Sequence, residues 1–455
     1  MEDGIESGKI ILLFNSYTLK SKYLHESFVL GDYEVLAIVV EEDDFLPKNV
    51  VSVYDLILGN YSNEKIINTG KPRYFNEIEV PDTWSISAGD ESGGRITFQH
   101  NEKGKIHYAG EAKDLLVKAV DWYDRRGVTR FRDHYNRFGN ICARTTYDDE
   151  GKPKSKSWFS KEGREILVEI YATNDIILDD GKVMKIFRKK EDLLLYYFKR
   201  LGLEQCRIFS NSLSITFFLS NHLDAVSKQD VLFWQDEEKT EIPDDMLMIL
   251  KGKTKRIYNI VVQNKSVYNS LRKLGIGENE IQKLGYIYPF ERKNQHRNEV
   301  LICTESDRIE HCEELIKALP QMHFHIAALT WMSQKLFDLD RYANVSLYPG
   351  VKSQVLNELF ATCDYYFDIN YRAEIVSAVY RAFLNNQLIF AFQETVHNRD
   401  YVADTYIYPI SEFERMVKDI QRVMTDINLM NQQLNKQRAD AFAETKESYA
   451  KILGL

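Results

Sequence analysis

Few side chains in this sequence have the types and spacing that metal or redox chemistry requires. His323 and His325 alternate along one predicted strand, so they face the same way and could ligate a metal ion. No cysteine pair or second carboxylate completes a ligand set. The cysteines are odd in number, widely spaced and without a CxxC pair, which favours reduced core thiols: Cys142, Cys206, Cys303, Cys312 and Cys363. The sequence therefore predicts no metal, no disulfide and no cofactor.

A phosphate-binding loop is missing from the places where one is expected. Such a loop brings glycine backbone close to phosphate oxygens at the start of a helix. The turn after the first predicted strand, Asn15-Ser16-Tyr17-Thr18, carries larger side chains instead. The segment Gly275-Ile276-Gly277 follows a predicted helix and is interpreted as the turn that ends it.

Composition excludes several classes of protein. The chain has 455 residues, 44% apolar and 28% charged, which is typical of a soluble protein with about three folding units. Its net charge of −9 argues against a general nucleic-acid-binding protein. No run of about 18 apolar residues could span a bilayer, and the start, Met1-Glu2-Asp3-Gly4, is acidic where a signal peptide is basic. We therefore expect a cytoplasmic protein, or one bound peripherally to the inner face of the membrane.

The elements that would position any site begin with a strand at residues 9–14, followed by a long antiparallel region. From about residue 35 to 187, short segments rich in Val, Ile, Tyr, Phe and Thr are separated by turn glycines. Residues 142–147, 157–159 and 166–171 are predicted strands of this region. The turn glycines are Gly104, Gly127, Gly139, Gly151, Gly163 and Gly181.

From about residue 189, helices alternate with short apolar strands, which is the pattern of a doubly wound α/β unit. A helix is predicted at 191–201, with strands at 207–209, 231–234 and 258–262. After a polar segment at 291–298, which is interpreted as a hinge, a second series has strands at 299–303, 323–328, 345–348 and 364–369.

The last segment is predicted to be helical, with an N-cap at Ser411. Its apolar stripe suits packing on the chain's own domains or pairing with a partner helix. The stripe consists of Met416, Ile420, Val423, Ile427, Met430 and Leu434.

Together these patterns predict an α/β fold in which two Rossmann-like domains face a cleft. Residues 1–34 and 188–290 would form the first domain, and residues 35–187 an antiparallel β-meander inserted in it. Residues 298–410 would form the second domain, and residues 411–455 a helical segment that packs across the domains.

This architecture resembles the GT-B fold of retaining glycosyltransferases, and several segments narrow the resemblance to the GtfB family. Those segments are Phe14-Asn15-Ser16-Tyr17-Thr18, Asp133-His134-Tyr135-Asn136, Trp158-Phe159 to Gly163, Asp175-Ile176-Ile177-Leu178 and His323-Phe324-His325-Ile326-Ala327-Ala328. The similarity covers nearly the whole chain. Members of that family work with the catalytic subunit GtfA, which adds N-acetylglucosamine to serine-rich adhesins of Gram-positive bacteria. The resemblance implies a non-catalytic subunit that binds the acceptor polypeptide and stabilises GtfA.

The same resemblance implies a degenerate donor site. In active enzymes of this architecture, an Arg and a Lys after the first strand of the second domain hold the diphosphate, and two glutamates contact the sugar and the ribose. Glu305 and Glu310 stand at the first two positions here, and Ala373 and Arg381 at the last two. Like charges 4 to 6 Å apart cost about 1 kcal/mol or more, so we expect no nucleotide-sugar binding. The alternative is an active retaining GT-B enzyme that uses a UDP-sugar, with Arg308 near the site.

Two surfaces are predicted to bind partners. Exposed edges and aromatic side chains of the meander are expected to contact GtfA, with candidates Trp84, Tyr108, Trp122 and Trp158. The Ser/Thr-rich acceptor is expected at strand ends of the second domain, near Tyr348, Asn370, Tyr371 and Arg372. Each of these side chains could instead belong to a core or an ordinary surface.

Two basic clusters are relevant to the predicted contact with the membrane. Arg125-Arg126 and Arg188-Lys189-Lys190 could contact an anionic membrane surface or could be solvated turns.

Overall fold

The computed structural model describes residue 5 and residues 8–62, 65–66, 70–90, 92–110, 114–224 and 229–455. The acidic start at residues 1–4 lies outside the described residues. The chain divides into two compact units. The first comprises residues 1–25, 33–236 and 241–261, and the second comprises residues 26–32, 237–240 and 262–455.

A parallel sheet of short, buried strands lies in the first unit. Its central strand, Ile10–Phe14, pairs with Val35–Val39 on one side and with Arg207–Ser210 on the other. Continuous apolar strands of this kind are typical of a sheet covered on both faces. The strands lie in the order Ile257–Val262, Asp230–Trp234, Arg207–Ser210, Ile10–Phe14, Val35–Val39, Val50–Ser52. The helices of this part of the chain are Leu19–Leu30, Val53–Ile57, Lys190–Arg200, Ile215–His222 and Asp244–Leu250.

The chain forms a ten-stranded antiparallel sheet after the strand Val50–Ser52 and before the strand Arg207–Ser210. Each strand pairs with the next one in sequence, so the sheet is a continuous meander. The turn glycines from Gly127 to Gly181 have φ between +79° and +82°, a conformation that glycine adopts without strain. The strands are Ser85–Asp90, Gly93–Phe98, Asn101–Tyr108, Val117–Tyr123, Thr129–Tyr135, Ile141–Tyr147, Pro153–Phe159, Glu165–Ile170, Asp175–Asp179 and Met184–Phe187. A short ribbon, Tyr61–Ser62 with Lys65–Ile66, precedes them.

Two details of the predicted meander are wrong. Gly104 is not in a turn but within the strand Asn101–Tyr108, where a Cβ would lie 2.5 Å from the carbonyl oxygen of Asp121. The meander does not begin near residue 35, because Val35–Val39 and Val50–Ser52 belong to the parallel sheet. Short apolar strands of the two sheets look alike in sequence, since both are rich in Val and Ile.

The second unit contains a six-stranded parallel sheet. Its first strand, Glu299–Thr304, lies in the middle, and the predicted strands of this series are confirmed to within one residue at each end. The order is Val345–Tyr348, His323–Ala328, Glu299–Thr304, Tyr365–Asp368, Leu388–Phe392, Ile407–Tyr408. The helices of this part of the chain are Lys265–Lys273, Cys312–Ala318, Gln334–Phe337, Ser353–Thr362 and Ala378–Leu384, and the short strand Gln282–Lys283 is not part of this sheet.

The C-terminal segment forms three helices, Phe413–Thr425, Ile427–Asp440 and Lys446–Leu453. The predicted stripe packs into the core of the second unit, except Ile427, which is 54% exposed. Asp426 explains this exception, because its side chain accepts hydrogen bonds from the next turn and starts a new helix. The predicted N-cap at Ser411 is wrong: Ser411 lies in the 3-10 turn Ile410–Glu412, and Glu412 precedes the helix.

All five cysteines are free and buried, as predicted. Within the part of the chain that the structure describes, no helix combines the length and the apolar character needed to cross a membrane.

Candidate binding site at the carboxyl ends of the second sheet

The strand order of the second sheet creates a switch point where ligands of doubly wound folds bind. The chain runs outward from Glu299–Thr304 in one direction and from Tyr365–Asp368 in the other. The two loops that leave these strands meet: Ile309 and Asn370 form a β-bridge, and Glu310 N donates to Ile369 O at 2.8 Å. Six of the residues predicted for the donor or acceptor site therefore lie at one edge of the sheet. They are Glu305, Glu310, Asn370, Tyr371, Arg372 and Ala373.

Glu310 is the acidic centre of this edge. The Tyr371 hydroxyl donates to the Glu310 carboxylate, and the bond raises the pKa of Tyr371. Nε2 of His311 lies 3.5 Å from the same carboxylate. The Arg308 guanidinium lies 4.9 Å from the centre of the Tyr371 ring, a cation–π distance. Arg308 is thus the cation near the switch point that the alternative of an active UDP-sugar enzyme invoked. Its guanidinium lies over the Tyr371 ring.

The other three positions of the predicted donor site have separate surroundings. Glu305 and Ala373 are exposed. Arg381 lies within the helix Ala378–Leu384, donates to Asn357 Oδ1 at 2.6 Å and stacks on Phe360, and burial lowers its pKa. Arg381 is therefore bonded to the neighbouring helix Ser353–Thr362.

Glu374, one residue from the expected glutamate position, has a structural role. Its Oε1 accepts a 2.7 Å hydrogen bond from Val379 N at the start of the helix Ala378–Leu384. Burial raises the pKa of this carboxyl. The residues between, Val376 and Ser377, have φ of +46° and +53°, which is strained for residues with a Cβ. The hydrogen bond between Glu374 and Val379 thus closes the turn that contains these two residues.

Sequence reasoning missed the pair Asp368 and His397. Asp368 ends the strand Tyr365–Asp368, is fully buried and accepts from His397 Nδ1 at 2.5 Å. This hydrogen bond is the main reason that the pKa of His397 rises to about 9. A polar residue at the carboxyl end of a predicted parallel strand was the available signal for Asp368, whereas nothing in the pattern indicated His397.

Two residues predicted to bind the acceptor polypeptide hydrogen-bond within the chain. Asn370 is buried, donates to Cys303 O at 3.0 Å and accepts from Arg372 N, so its side chain holds the loop rather than facing outward, which corrects that prediction. Tyr348 is half-buried, with its hydroxyl 3.0 Å from His325 Nδ1. Tyr371 and Arg372 remain exposed.

The two strand histidines hydrogen-bond to protein groups. His325 Nε2 lies 2.6 Å from Glu299 Oε2, and His323 Nε2 lies 2.8 Å from Ser346 Oγ. Over the described ranges, no group of three or more His, Cys, Asp or Glu residues is arranged to hold a metal ion.

The aromatic residues predicted for the meander surface have different degrees of burial. Trp158 is 3% exposed, stacks on Tyr54 at 5.4 Å and donates to Glu42, so it is a core residue and that prediction is corrected. Trp84, Tyr108 and Trp122 are half-buried.

The C-terminal edge strand of the meander, by contrast, exposes two large apolar side chains. Met184 is 69% exposed and Ile186 is 61% exposed. Because they alternate with Lys185, they lie on the same face of the strand.

The switch point of the first sheet is closed mainly by amides and hydroxyls, and Asn15 Nδ2 also donates to the Glu41 carboxylate at 2.6 Å. Asn15 N donates to Asn211 Oδ1 at 3.3 Å, and Asn211 Nδ2 donates to Ser21 and to Gln235, each at 3.1 Å. Ser214 Oγ donates to Asn15 Oδ1 at 3.1 Å. The residue that follows the first strand, Asn15, therefore hydrogen-bonds to side chains of other loops.

Four family models match the chain along its length. They are the GtfB N-terminal domain at residues 11–56, the GtfB middle domain at 84–188, the GtfB third domain at 190–274 and the GftB/GlyA-F C-terminal domain at 300–437. The middle-domain match coincides with the ten-stranded sheet, and the C-terminal match contains the whole of the candidate site.

A relative from Streptococcus agalactiae, a UDP-N-acetylglucosamine–peptide N-acetylglucosaminyltransferase stabilizing protein GtfB, is 37% identical over 447 residues, 98% of this chain and 99% of the relative. This chain belongs to the GtfB family. A chain from a crystal structure of a GtfA/B complex bound to UDP and GlcNAc is 33% identical, with a TM-score of 0.79 over 98% of this chain and 99% of the solved one. The pneumococcal O-GlcNAc transferase GtfA is 12% identical with a TM-score of 0.54 over 99% of both chains, which shows that this chain has a similar fold.

Proposed function

We propose that this chain is the non-catalytic subunit of a protein O-GlcNAc transferase, which binds a Ser/Thr-rich acceptor polypeptide and stabilises a catalytic GtfA subunit. Membership of the GtfB family supports the proposal, since its relatives are named as stabilizing proteins of such a transferase. The observation that carries it is the Glu310–Tyr371 pair at the switch point of the second sheet.

That pair is poorly suited to a nucleotide sugar. A departing diphosphate needs cations close by, and the strongest protein ligands for it are arginine and lysine. At this edge a carboxylate lies at the junction of the two loops, and the nearby Arg308 stacks on Tyr371. Bringing a diphosphate beside Glu310 would cost Coulomb energy that the exposed Arg308 only partly offsets.

Isothermal titration of the isolated chain with UDP-N-acetylglucosamine tests the absence of donor binding. We expect no saturable heat up to millimolar nucleotide sugar, while the catalytic GtfA subunit titrated under the same conditions binds. Saturable micromolar binding by this chain would overturn the proposal and favour the alternative, an active retaining enzyme.

The acceptor is proposed to bind along the carboxyl ends of the second sheet. Tyr371 and Arg372 are exposed there, and Trp331, in the loop after His323–Ala328, is 81% exposed. A Ser/Thr-rich chain has little apolar surface, so aromatic faces and hydrogen bonds must hold it. We expect Trp331→Ala and Tyr371→Ala each to weaken binding of a labelled Ser/Thr-rich peptide about tenfold. The control is Tyr258→Ala, an exposed tyrosine of the first unit, and equal affinities for all variants would contradict this placement.

The ten-stranded sheet is proposed as the surface that contacts GtfA, with Trp84, Tyr108 and Trp122 as candidates. Among the described residues, Met184–Phe187 is the last strand of this sheet and pairs with Asp175–Asp179. Its other edge could pair with a strand of a partner, and Met184 and Ile186 are exposed beside it. The double variant Met184→Lys/Ile186→Lys should lose co-purification with GtfA, while Ile427→Lys, an exposed apolar residue of the C-terminal helices, should retain it. Full retention by the double variant would exclude this edge.

A GT-B arrangement of the two units around a cleft, with the helical tail packed across them, is part of the proposal. So is a cytoplasmic location with a peripheral membrane contact through Arg125, Arg126 and Arg188–Lys190. Acidic neighbours reduce the charge of these clusters, since Arg126 pairs with Asp124 and Arg188 with Asp175. Sedimentation with anionic vesicles tests the contact, and we expect weak binding that is lost at 0.5 M salt, because roughly 1 kcal/mol per basic residue is screened.

A further inference from the structure

The ring of His397 lies between two groups that can only accept hydrogen bonds. Its Nδ1 is 2.5 Å from Asp368 Oδ1, and its Nε2 bonds the carbonyl oxygen of Arg372. The His397 backbone N–H donates to the other oxygen of the same carboxylate at 2.7 Å. The side chain of Asp368 is fully buried, and that of His397 is 14% exposed.

This geometry fixes the charge of the ring. A carboxylate and a carbonyl have no proton to give, so both ring nitrogens must donate, and only the imidazolium has two N–H groups. A neutral ring would place one lone pair against an acceptor and would leave the buried Asp368 without a compensating charge. The charged groups that face the ring are Asp368, from the strand Tyr365–Asp368, and Glu374, from the segment before Ala378–Leu384. Both favour the protonated form.

The arrangement does not support a role as a general base. An Asp–His pair acts as a base only when the second nitrogen is available to a substrate, and Nε2 of His397 is already bonded to Arg372 O. The ring instead joins two loops. The loop after Leu388–Phe392 carries His397 and also Thr395, whose hydroxyl donates to Asp368 O at 2.8 Å, and the loop after Tyr365–Asp368 carries Arg372.

The segment that this ring joins to the neighbouring loop, residues 369–377, requires a contact that fixes its position. We call the two hydrogen bonds of the His397 ring, to Asp368 and to Arg372 O, the tie. The segment contains Val376 and Ser377, whose left-handed backbone is strained for residues with a Cβ, so contacts elsewhere must hold it in place. It also carries Tyr371 and Arg372, the two exposed residues of the proposed acceptor site. The bond from His397 to the Arg372 carbonyl acts one residue after Tyr371, whose backbone N–H donates to Arg308 O at 3.1 Å.

We propose that His397 is a positioning residue that, as an imidazolium, holds segment 369–377 in the conformation that binds the acceptor polypeptide. This inference rests on the acceptor-binding part of the proposed function. The charge, and not only the shape of the ring, is what the site requires.

The direction of the pH dependence follows from the sign of the shift. The pKa of His397 is raised from the ordinary value of 6.5 to about 9, so the tie is fully formed below pH 6.5 and is lost as the pH rises through 9. Acceptor binding should therefore weaken between pH 8 and pH 10.

The test combines a measurement on His397 itself with a measurement of binding, both on the full chain. Histidine ring carbons labelled with ¹³C are followed by NMR from pH 5 to 10, and the signal of His397 is assigned by its absence in His397→Gln. We expect it to titrate above pH 8. A titration at or below pH 6.5 would overturn the proposal.

Binding is measured with a fluorescent Ser/Thr-rich peptide that contains no ionisable side chain. We expect wild-type affinity to fall at least tenfold from pH 7.5 to pH 10, and His397→Gln to be at least tenfold weaker at pH 7.5 with little further change. The control His323→Gln, on the same sheet, should behave as wild type. The positioning role would be refuted if the wild-type affinity did not change with pH. It would also be refuted if His397→Gln bound the peptide with wild-type affinity.

Hydrogen exchange separates this inference from the proposed function. Amides of residues 369–379 should exchange at least tenfold faster in His397→Gln than in wild type at pH 7.5, whether or not the peptide binds. If the wild-type chain does not bind the peptide, the acceptor site fails, and faster exchange still establishes the tie. Unchanged exchange in His397→Gln would show that the imidazolium positions nothing.

Discussion

In the first unit, the loops that leave Ile10–Phe14 and Arg207–Ser210 are joined by amides and hydroxyls, with Asn211 at the centre. In the second unit, the loops that leave Glu299–Thr304 and Tyr365–Asp368 are joined through Glu310, Tyr371 and the pair Asp368–His397. The two sheets have the same kind of switch point. The comparison shows that the loops at one kind of switch point can be joined mainly by neutral amides, as around Asn211, or by an ionic pair whose strength depends on pH.

We expect neither switch point to bind a nucleotide, and the side chains at both are consistent with the proposed function. The first has no glycine turn, and the second has a carboxylate at the junction of its loops. The neutral amides of the first suit a constant structural role, because amides do not titrate. The charged groups of the second leave Tyr371 and Arg372 exposed on a segment whose position depends on the charge of one histidine.

The largest effect that would separate the two switch points is the loss of Asp368. Asp368→Asn keeps the shape of the side chain but leaves the His397 imidazolium without its buried counter-charge, which costs about 3–5 kcal/mol of unfolding free energy. Urea denaturation at pH 7 measures this. The cost should shrink above pH 9, where His397 is neutral in the wild type. A cost below 1 kcal/mol at pH 7 would show that the pair is not coupled.

The equivalent change in the first unit should have a smaller effect that does not depend on pH. Asn211→Ala removes the acceptor of the Asn15 backbone N–H and the donor to Gln235 Oε1, at a cost of about 1–3 kcal/mol. The same denaturation experiment at pH 7 and pH 9.5 should give equal costs. A pH-dependent cost here would break the proposed difference between the two regions.

The smallest effect is expected at the exposed pair of the second switch point. Glu310→Gln keeps a hydrogen-bond acceptor for Tyr371, and exposed pairs of this kind contribute less than about 1 kcal/mol. We expect the unfolding free energy to change by less than that, and titration with UDP-N-acetylglucosamine to remain without saturable binding. Nucleotide binding by this variant would mean that Glu310 alone blocks a site that is otherwise complete.

Much of the fold could be predicted from local pattern. Regularly spaced turn glycines indicated the meander, and the alternation of helices with apolar runs indicated two parallel sheets, with the strand His323–Ala328 correct at both ends. Predictions from local pattern were wrong where the same residue type occurs in two structural settings. Gly104 is required by the close approach of a neighbouring strand and not by a turn, and the stripe position Ile427 is exposed because Asp426 starts a new helix.

The sequence by itself determined which charges are available at the ends of the second sheet: acidic residues at 305 and 310 and no glutamate at 373 or 381. Only the tertiary structure decided which of them meet. Glu310 and Tyr371 are 61 residues apart in the chain, and Asp368 and His397 are 29 apart. Such pairs form because loops from separate strands converge at one edge, and a hydrogen bond depends on distances of a few tenths of an ångström, which no spacing in a sequence encodes.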